Sequence, residues 1–186
     1  MGETGDDVRA CLDEHRAESA EESIDLKRMN ALAGQTDAWR RDGPLHFTGS
    51  AFVVDPPTRR VLLRWHARQA AWLQVGGHAD AGESDPLAVA RREAAEETAL
   101  VDLVPWPGAR LLHAVIVPVP ANEREPEHEH ADLRFVLATN TPAAARPENA
   151  SGQLRWLSIP EALALTSEDN VRESLHRIDA LFDERP

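Results

Sequence analysis

The sequence predicts an α/β or α+β domain, a mixed β-sheet with helices on its faces, preceded by a helical N-terminal extension. Residues Asp6 to about Leu32 contain neither proline nor glycine, so nothing there forbids a helix. From Leu45 onward, runs of β-forming residues alternate with turns. A segment with a clear helix start interrupts these runs, as expected for a mixed sheet covered by helices. We therefore place the extension in residues 1–44 and the main domain in residues 45–186.

The composition limits the class of protein. A chain of 186 residues is too short for two large domains, since about 150 residues per domain is typical. With 42% hydrophobic and 28% charged residues, the chain can bury a core as a soluble globular protein does. The net charge of -12 argues against nucleic acid as a partner.

Cysteine content and hydropathy bear on the cellular location. Cys11 is the single cysteine, which excludes an intrachain disulfide and a zinc site built of several cysteines. The first seven residues lack the pattern of a signal peptide, and no run approaches the ~18 apolar residues of a membrane helix. These observations predict a cytoplasmic protein with no membrane partner.

The extension is predicted to form one or two amphipathic helices. Apolar residues between Ile24 and Leu32 recur at helical spacing, and Ser23 or Asp25 could cap the second helix. Such helices would pack on the main domain or on a second subunit. In the second case the protein would be a homodimer.

The main domain begins with a predicted hairpin. Phe47–Val54 and Arg60–Trp65 are the two strands, joined by a proline-rich turn. A short third strand, Trp72–Val75, ends at Gly76 and Gly77. The later predicted elements are strands Arg110–Val119, Leu133–Ala138 and Leu154–Leu157, helices Pro160–Leu165 and Asn170–Phe182, and a flexible loop over Pro120–His130.

The central helix is predicted from Pro86 to about Thr98. Asp85 is suited to the N-cap position and Pro86 to the first helical position. Glu96 and Glu97 lie three and four residues after Glu93, so all three carboxylates are neighbours on this helix. Their mutual repulsion would be offset by a cation, and oxygen ligands favour Mg²⁺, Mn²⁺ or Ca²⁺.

A divalent ion at these glutamates would favour phosphate chemistry. Such an ion keeps open positions for water and for phosphate oxygens, and a glutamate off the ion can accept the proton of a water molecule. Gly76 and Gly77 would let the backbone approach the ion closely. The alternative is a solvated helix face on which Arg91 and Arg92 compensate the acidic residues.

The segment from Gly77 to Leu100 resembles the signature box of the Nudix hydrolases. That box reads Gly, five residues, Glu, seven residues, then Arg-Glu-apolar-any-Glu-Glu-any-Gly-apolar. Gly77, Glu83 and the run from Arg92 to Glu97 match it. Two positions depart: eight residues separate Glu83 from Arg92, and Ala99 stands where the family has glycine. A left-handed helix end costs a residue other than glycine about 1 kcal/mol, so this helix could end differently.

The resemblance implies an α/β/α sandwich and a set of roles. Glu93, Glu96 and Glu97 would hold Mg²⁺ or Mn²⁺ and could supply the base, and Gly77 would offer its carbonyl to the ion. Arg92 would orient the glutamates, and Glu83 would brace the loop.

The reaction implied by the resemblance is hydrolysis of a nucleoside diphosphate linked to another group, by water attack at phosphorus. An alternative is a metal-free ligand-binding or regulatory module of the same fold. The intact glutamate triad argues against that alternative.

A second polar cluster precedes the predicted strand Leu133–Ala138. If residues 127–132 are extended, His128, His130 and Asp132 share one face, while Glu127 and Glu129 share the other.

This second cluster has two interpretations. Glu129 or Glu127 could be the general base, with His128 or His130 touching phosphate, or the segment is a polar loop entering an edge strand. His78 is a candidate substrate contact, whereas His46, His66 and His113 are expected to be structural.

Overall fold

The computed structural model describes residues 6–122 and 125–184, and it confirms the predicted fold class. Within these residues one mixed sheet of eight strands lies between two helical layers. The helices are α1 (Asp6–Glu14), α2 (Ala20–Leu32), α3 (Pro86–Thr98), α4 (Ile159–Leu165) and α5 (Asp169–Glu184). The strands are β1 (Leu45–Asp55), β2 (Arg60–His66), β3 (Ala71–Leu73), β4 (Val75–His78), β5 (Val104–Pro105), β6 (His113–Val119), β7 (His128–Ala138) and β8 (Leu154–Ser158).

Two long strands form the centre of the sheet. β1 and β7 run parallel, with His46 opposite His130 and Thr48 opposite Asp132. β1 also pairs antiparallel with β2 near its end and with β4 near its start, where Thr48 faces His78. β6 pairs antiparallel with the other edge of β7. The junction of β1, β4 and β7 therefore brings together residues far apart in the sequence.

Alternation along the central strands produces two separate cores. Phe47 and Val53 of β1 point to the layer that contains α1, α2 and α3. Phe52 and Val54 point to the opposite face, where α4 and α5 pack. Because successive side chains point to opposite faces of a strand, one run of apolar residues serves both cores.

The N-terminal helices pack on the chain's own sheet and protect its edge. Carboxylates of α2 accept hydrogen bonds from the free N–H groups of β6, Glu22 from Ala114 at 3.0 Å and Asp25 from Ile116 at 2.8 Å. Exposed strand edges are prone to pairing with other chains, so these contacts block that route. The cap of α2 is Ser19, whose hydroxyl accepts from Glu22 N, and the expectation of Ser23 or Asp25 as its cap is wrong.

The strand β7 begins earlier than the sequence predicts. It starts at His128, so the last three residues of the predicted loop Pro120–His130 are strand, while residues 123 and 124 lie outside the described part. β7 is also an interior strand between β1 and β6, which overturns the interpretation as a loop entering an edge strand. The polar residues that discouraged a strand assignment are paired within the protein.

The helix α3 packs closely on β1. A Cβ atom on Gly49 would lie 2.7 Å from the Pro86 carbonyl oxygen, so glycine permits this approach. Ala99 ends the helix in the left-handed conformation (φ 58°) without a glycine, so the idea that the helix ends in another way is wrong. None of the helices among the described residues has both the length and the apolar composition that a bilayer crossing requires.

Candidate active site

The helix α3 carries the three glutamates and begins as predicted. The Asp85 carboxylate accepts from Leu87 N at 2.9 Å and from Ala88 N at 3.3 Å, and Pro86 follows it. These contacts satisfy N–H groups that have no partner inside the helix. The helix start therefore fixes which face carries the acidic residues.

Arg92 joins the loop before α3 to the acidic face. Its guanidinium donates to Glu83 at 2.8 Å, to Glu93 at 2.9 Å and to Glu96 at 3.2 Å. It also donates to the carbonyl oxygen of His78 at 2.8 Å. Glu83 reaches Arg92 despite the extra residue between them, and the guanidinium holds the pKa of the Glu83 carboxyl below its usual range.

Glu97 is the most buried of the three glutamates. Its carboxylate is paired with Arg64 of β2 and accepts from Gly76 N at 3.2 Å. Burial outweighs both contacts and raises the pKa of this carboxyl to about 7. The site therefore disfavours the charged form of Glu97 when no further cation is present.

Glu93 lies against Gly77, beside the turn that ends β4. A Cβ atom on residue 77 would lie 2.6 Å from the Glu93 carboxylate, so only glycine leaves this space. Burial raises the pKa of the Glu93 carboxyl, and the neighbouring Glu96 adds to this effect. Clustered carboxylates, two of them with raised pKa values, form a donor set of hard oxygen atoms suited to Mg²⁺ or Mn²⁺.

A cleft of about 690 Å³ adjoins this donor set. Six of its lining residues bear on the chemistry of the site: Arg64, Gly77, His78, Glu97, His130 and Arg134. A ligand in the cleft would therefore contact both the carboxylate end of α3 and the polar part of β7.

Asp132 and Arg134 form a buried ion pair at the wall of the cleft. Asp132 accepts from Arg134 at 2.8 Å, from Ser50 at 2.6 Å and from Thr48 at 3.0 Å. Arg134 is only 2% exposed and also donates to the Asn170 side chain at 2.7 Å. This network anchors α5 to the cleft wall. Sequence reasoning missed Arg134 because its burial and its contact with Asn170 depend on residues far away in the chain.

Four histidines meet beside this ion pair. His78 Nε2 lies 3.1 Å from His46 Nε2 and 3.2 Å from His130 Nε2, and His128 Nε2 lies 3.1 Å from His130 Nε2. Burial lowers the pKa of His46, that of His78 to about 3 and that of His130 to about 4. The neutral form of these three rings is therefore favoured.

The predicted substrate contacts have different exposures. His78 and His130 line the cleft, whereas His128 is 8% exposed and lies behind His130. His46 was expected to be structural only, yet it is part of the cluster. His46 lies opposite His130 because β1 and β7 pair in parallel, and no pattern in the sequence indicates this pairing.

Glu129 faces the other side of β7, as the predicted alternation requires. Its carboxylate is bound by both terminal nitrogens of Arg28 in α2. The guanidinium lowers the pKa of the Glu129 carboxyl, which weakens it as a base. This candidate base is therefore paired with Arg28 of α2.

The family comparison decides how this site is classified. A model of the NUDIX domain matches residues 45–178, most of the chain. The chain belongs to the Nudix family. Membership confirms the expectation of a pyrophosphohydrolase of the Nudix type, a class of enzymes that generally uses divalent metal ions.

Solved structures agree with the fold of this Nudix protein. An Ap4A hydrolase from C. elegans in a binary complex aligns with a TM-score of 0.59 at 15% identity, covering 74% of this chain and 98% of that one. The dihydroneopterin triphosphate pyrophosphohydrolase of E. coli gives 0.54 at 20% identity, covering 73% and 94%. RenU, a Nudix hydrolase from M. smegmatis, gives 0.53 at 20% identity, covering 76% and 88%. No curated protein matches the chain.

Proposed function

We propose that this Nudix protein hydrolyses a diphosphate linkage in a nucleoside diphosphate joined to another group, using Mg²⁺ or Mn²⁺. The observation that carries the proposal is the acidic face of α3. Burial raises the pKa of Glu93 and of Glu97, and Glu97 lines the cleft. Arg92 holds Glu93 and Glu96 together on the same face. In this proposal residues 45–186 form the catalytic domain and residues 1–44 a helical extension, of which α2 packs on β6.

Glu93, Glu96, Glu97 and the carbonyl of Gly77 would hold the ion. The close approach of the Gly77 backbone to Glu93 and the hard oxygen donors fit such an ion. When bound, a divalent ion supplies a more acidic water and neutralises charge on phosphate oxygens.

The chain itself contributes orientation and a proton acceptor. Arg92 fixes Glu93 and Glu96 relative to the loop through Glu83 and the His78 carbonyl. The water oxygen bonds to phosphorus as the bridging P–O bond breaks, and a carboxylate accepts the proton of the water. We assign this acceptor to the α3 glutamates rather than to Glu129, because Arg28 occupies both oxygens of Glu129.

The cleft beside the α3 glutamates would bind the substrate phosphates. Arg64 lines this space, and His78 and His130 face it from β4 and β7. His128 would act through His130, since it is buried behind that ring. The Ap4A and dihydroneopterin triphosphate hydrolases, whose names state phosphate-anhydride substrates, support a small nucleotide derivative as the class of ligand.

The proposal is tested with a panel of nucleoside diphosphate sugars, dinucleoside polyphosphates and nucleoside triphosphates. For the sugars and the dinucleoside polyphosphates, phosphate is measured after phosphatase treatment, because cleavage of an internal diphosphate exposes terminal phosphates. For the nucleoside triphosphates, which a phosphatase attacks directly, phosphate is measured after treatment with inorganic pyrophosphatase. We expect turnover of at least one class that needs Mg²⁺ or Mn²⁺. Glu96→Gln and Glu97→Gln should each reduce it by at least about 100-fold with the fold intact.

The matched control is Glu184→Gln, at the exposed end of α5. This variant should keep wild-type turnover. Metal-independent activity, or activity unchanged in both α3 variants, would overturn the proposal. Binding of a nucleotide without turnover of any class would favour a ligand-binding or regulatory module instead.

A further inference from the structure

The histidine cluster has the dimensions of a transition-metal site. In a tetrahedral zinc site the Zn–N distance is about 2.0–2.1 Å, which places neighbouring ligand nitrogens about 3.3–3.4 Å apart. The separations from His78 Nε2 are 3.1 Å to His46 Nε2 and 3.2 Å to His130 Nε2. One nitrogen from each of the three rings lies within 4.8 Å of the others.

Two of the rings have a fixed tautomer. His46 Nδ1 lies 3.0 Å from the Gly43 carbonyl oxygen, and His128 Nδ1 lies 2.9 Å from that of Pro126. A carbonyl oxygen only accepts, so both Nδ1 atoms carry hydrogen. In a neutral ring the Nε2 atom then has a lone pair and no hydrogen. A hydrogen bond from the other ring nitrogen to a carbonyl is also typical of metal-bound histidine.

Neutral rings cannot satisfy the close nitrogen contacts of the cluster. His46 Nε2 can only accept, so its contact requires a hydrogen on His78 Nε2. His128 Nε2 can likewise only accept, so its contact requires a hydrogen on His130 Nε2. These two hydrogens would then face each other across the 3.2 Å contact between His78 and His130. Removing either one leaves two lone pairs facing each other.

A cation among His46, His78 and His130 removes the conflict at the two contacts of His78, since the lone pairs of these three rings can then point at one ion. An extra proton on one ring would also complete the chain of hydrogen bonds, but it would bury a charge among other imidazoles, and the neighbouring carboxylate of Asp132 is already bound by Arg134. Imidazole ligands favour Zn²⁺ and other late transition metals over Mg²⁺. This preference distinguishes the cluster from the carboxylates of α3.

We propose that His46, His78 and His130 form a second metal site, specific for Zn²⁺ or a similar transition metal, on the wall of the cleft. Three protein ligands leave a fourth position, as in sites that accept water or a ligand oxygen. His78 and His130 line the cleft, so this position is accessible from it. The proposal does not depend on the proposed hydrolase function, because zinc binding is measured without substrate.

The test is titration of the full, metal-stripped chain with Zn²⁺, followed by X-ray absorption at the zinc edge. We expect one zinc per chain bound through imidazole nitrogens at about 2.0–2.1 Å. His78→Ala and His130→Ala should each weaken binding by at least about 100-fold, more than the loss typical of a second-shell residue. Glu97→Gln should retain the site, which separates it from the α3 carboxylates.

The matched control is His176→Ala, since His176 is exposed on α5. It should bind zinc as the wild type does. His46 is fully buried, so a His46 variant can fail to fold, and the cleft-lining His78 and His130 decide the outcome. A zinc shell made of oxygen ligands only, no zinc binding, or wild-type affinity in both variants would overturn the proposal.

Discussion

The two faces of the sheet near the cleft differ in how their charges are compensated. On the α3 face, the one guanidinium of Arg92 serves Glu83, Glu93 and Glu96, and the buried carboxyl of Glu97 has a raised pKa despite its pairing with Arg64. On the opposite face, Asp132 is matched by Arg134 and by hydroxyl donors, and the nearby histidines favour the neutral form.

This difference separates two ways of building a polar site. The α3 face keeps excess negative charge, which suits a hard divalent cation. The opposite face keeps its charges paired and presents nitrogen lone pairs, which suit a softer metal. Removing a carboxylate should therefore have opposite effects on stability on the two faces.

The largest effect is expected for Asp132→Asn. This change leaves the buried guanidinium of Arg134 without its charge partner, and breaking a buried pair typically costs about 3–5 kcal/mol. Urea unfolding monitored by circular dichroism measures the loss. Asp42→Asn, in the exposed pair with Arg40, should leave the midpoint unchanged. If Asp132→Asn lost no more unfolding free energy than Asp42→Asn, the Asp132–Arg134 pair would not stabilise the opposite face.

Glu97→Gln should instead increase the free energy of unfolding near neutral pH. The pKa of Glu97 rises on folding to about 7, so the folded protein binds more protons than the unfolded one between about pH 4.5 and pH 7. Stability of the metal-free wild type should therefore fall as pH rises through this window, by about 3 kcal/mol at most relative to the variant. The two unfolding curves should converge below about pH 4.5. Parallel curves at every pH would contradict the raised pKa.

Arg92→Ala should reduce both turnover and Mg²⁺ affinity by about 10- to 100-fold, as loss of an orienting partner typically does. The variant removes the contacts that hold Glu93 and Glu96 near Glu83. Steady-state kinetics at several Mg²⁺ concentrations measures the effect. Arg91→Ala is the control, since Arg91 is exposed and adjacent in the sequence. Equal losses in the two variants would mean that Arg92 does not orient the acidic face.

Ala99→Gly should give the smallest effect, a gain of about 1 kcal/mol in unfolding free energy. Ala99 has φ 58°, a left-handed conformation that glycine adopts without the steric cost of a Cβ atom. Ala95→Gly, inside α3, should instead lose about 1 kcal/mol because glycine is a poor helix former. Thermal melts compare the two. Destabilisation by Ala99→Gly would show that the end of α3 is not strained.

The features predicted correctly from sequence are local ones. The Asp85 cap, the extent of α3 and the grouping of its glutamates depend on residues a few positions apart, and helix geometry relates such residues directly. The alternation of His128, His130 and Asp132 also followed from strand geometry once the segment was extended. The start of β7 was missed because its polar residues find partners only through the tertiary fold.

By itself, the sequence determined the Nudix signature box, the acidic face of α3 and the α/β class, because each depends on residue type and short-range periodicity. Tertiary structure alone decided that His46 meets His78 and His130, and that Glu129 pairs with Arg28. These contacts follow from strand register and helix packing across many residues. Register is fixed by the burial of both sheet faces together, which no short window of the chain contains.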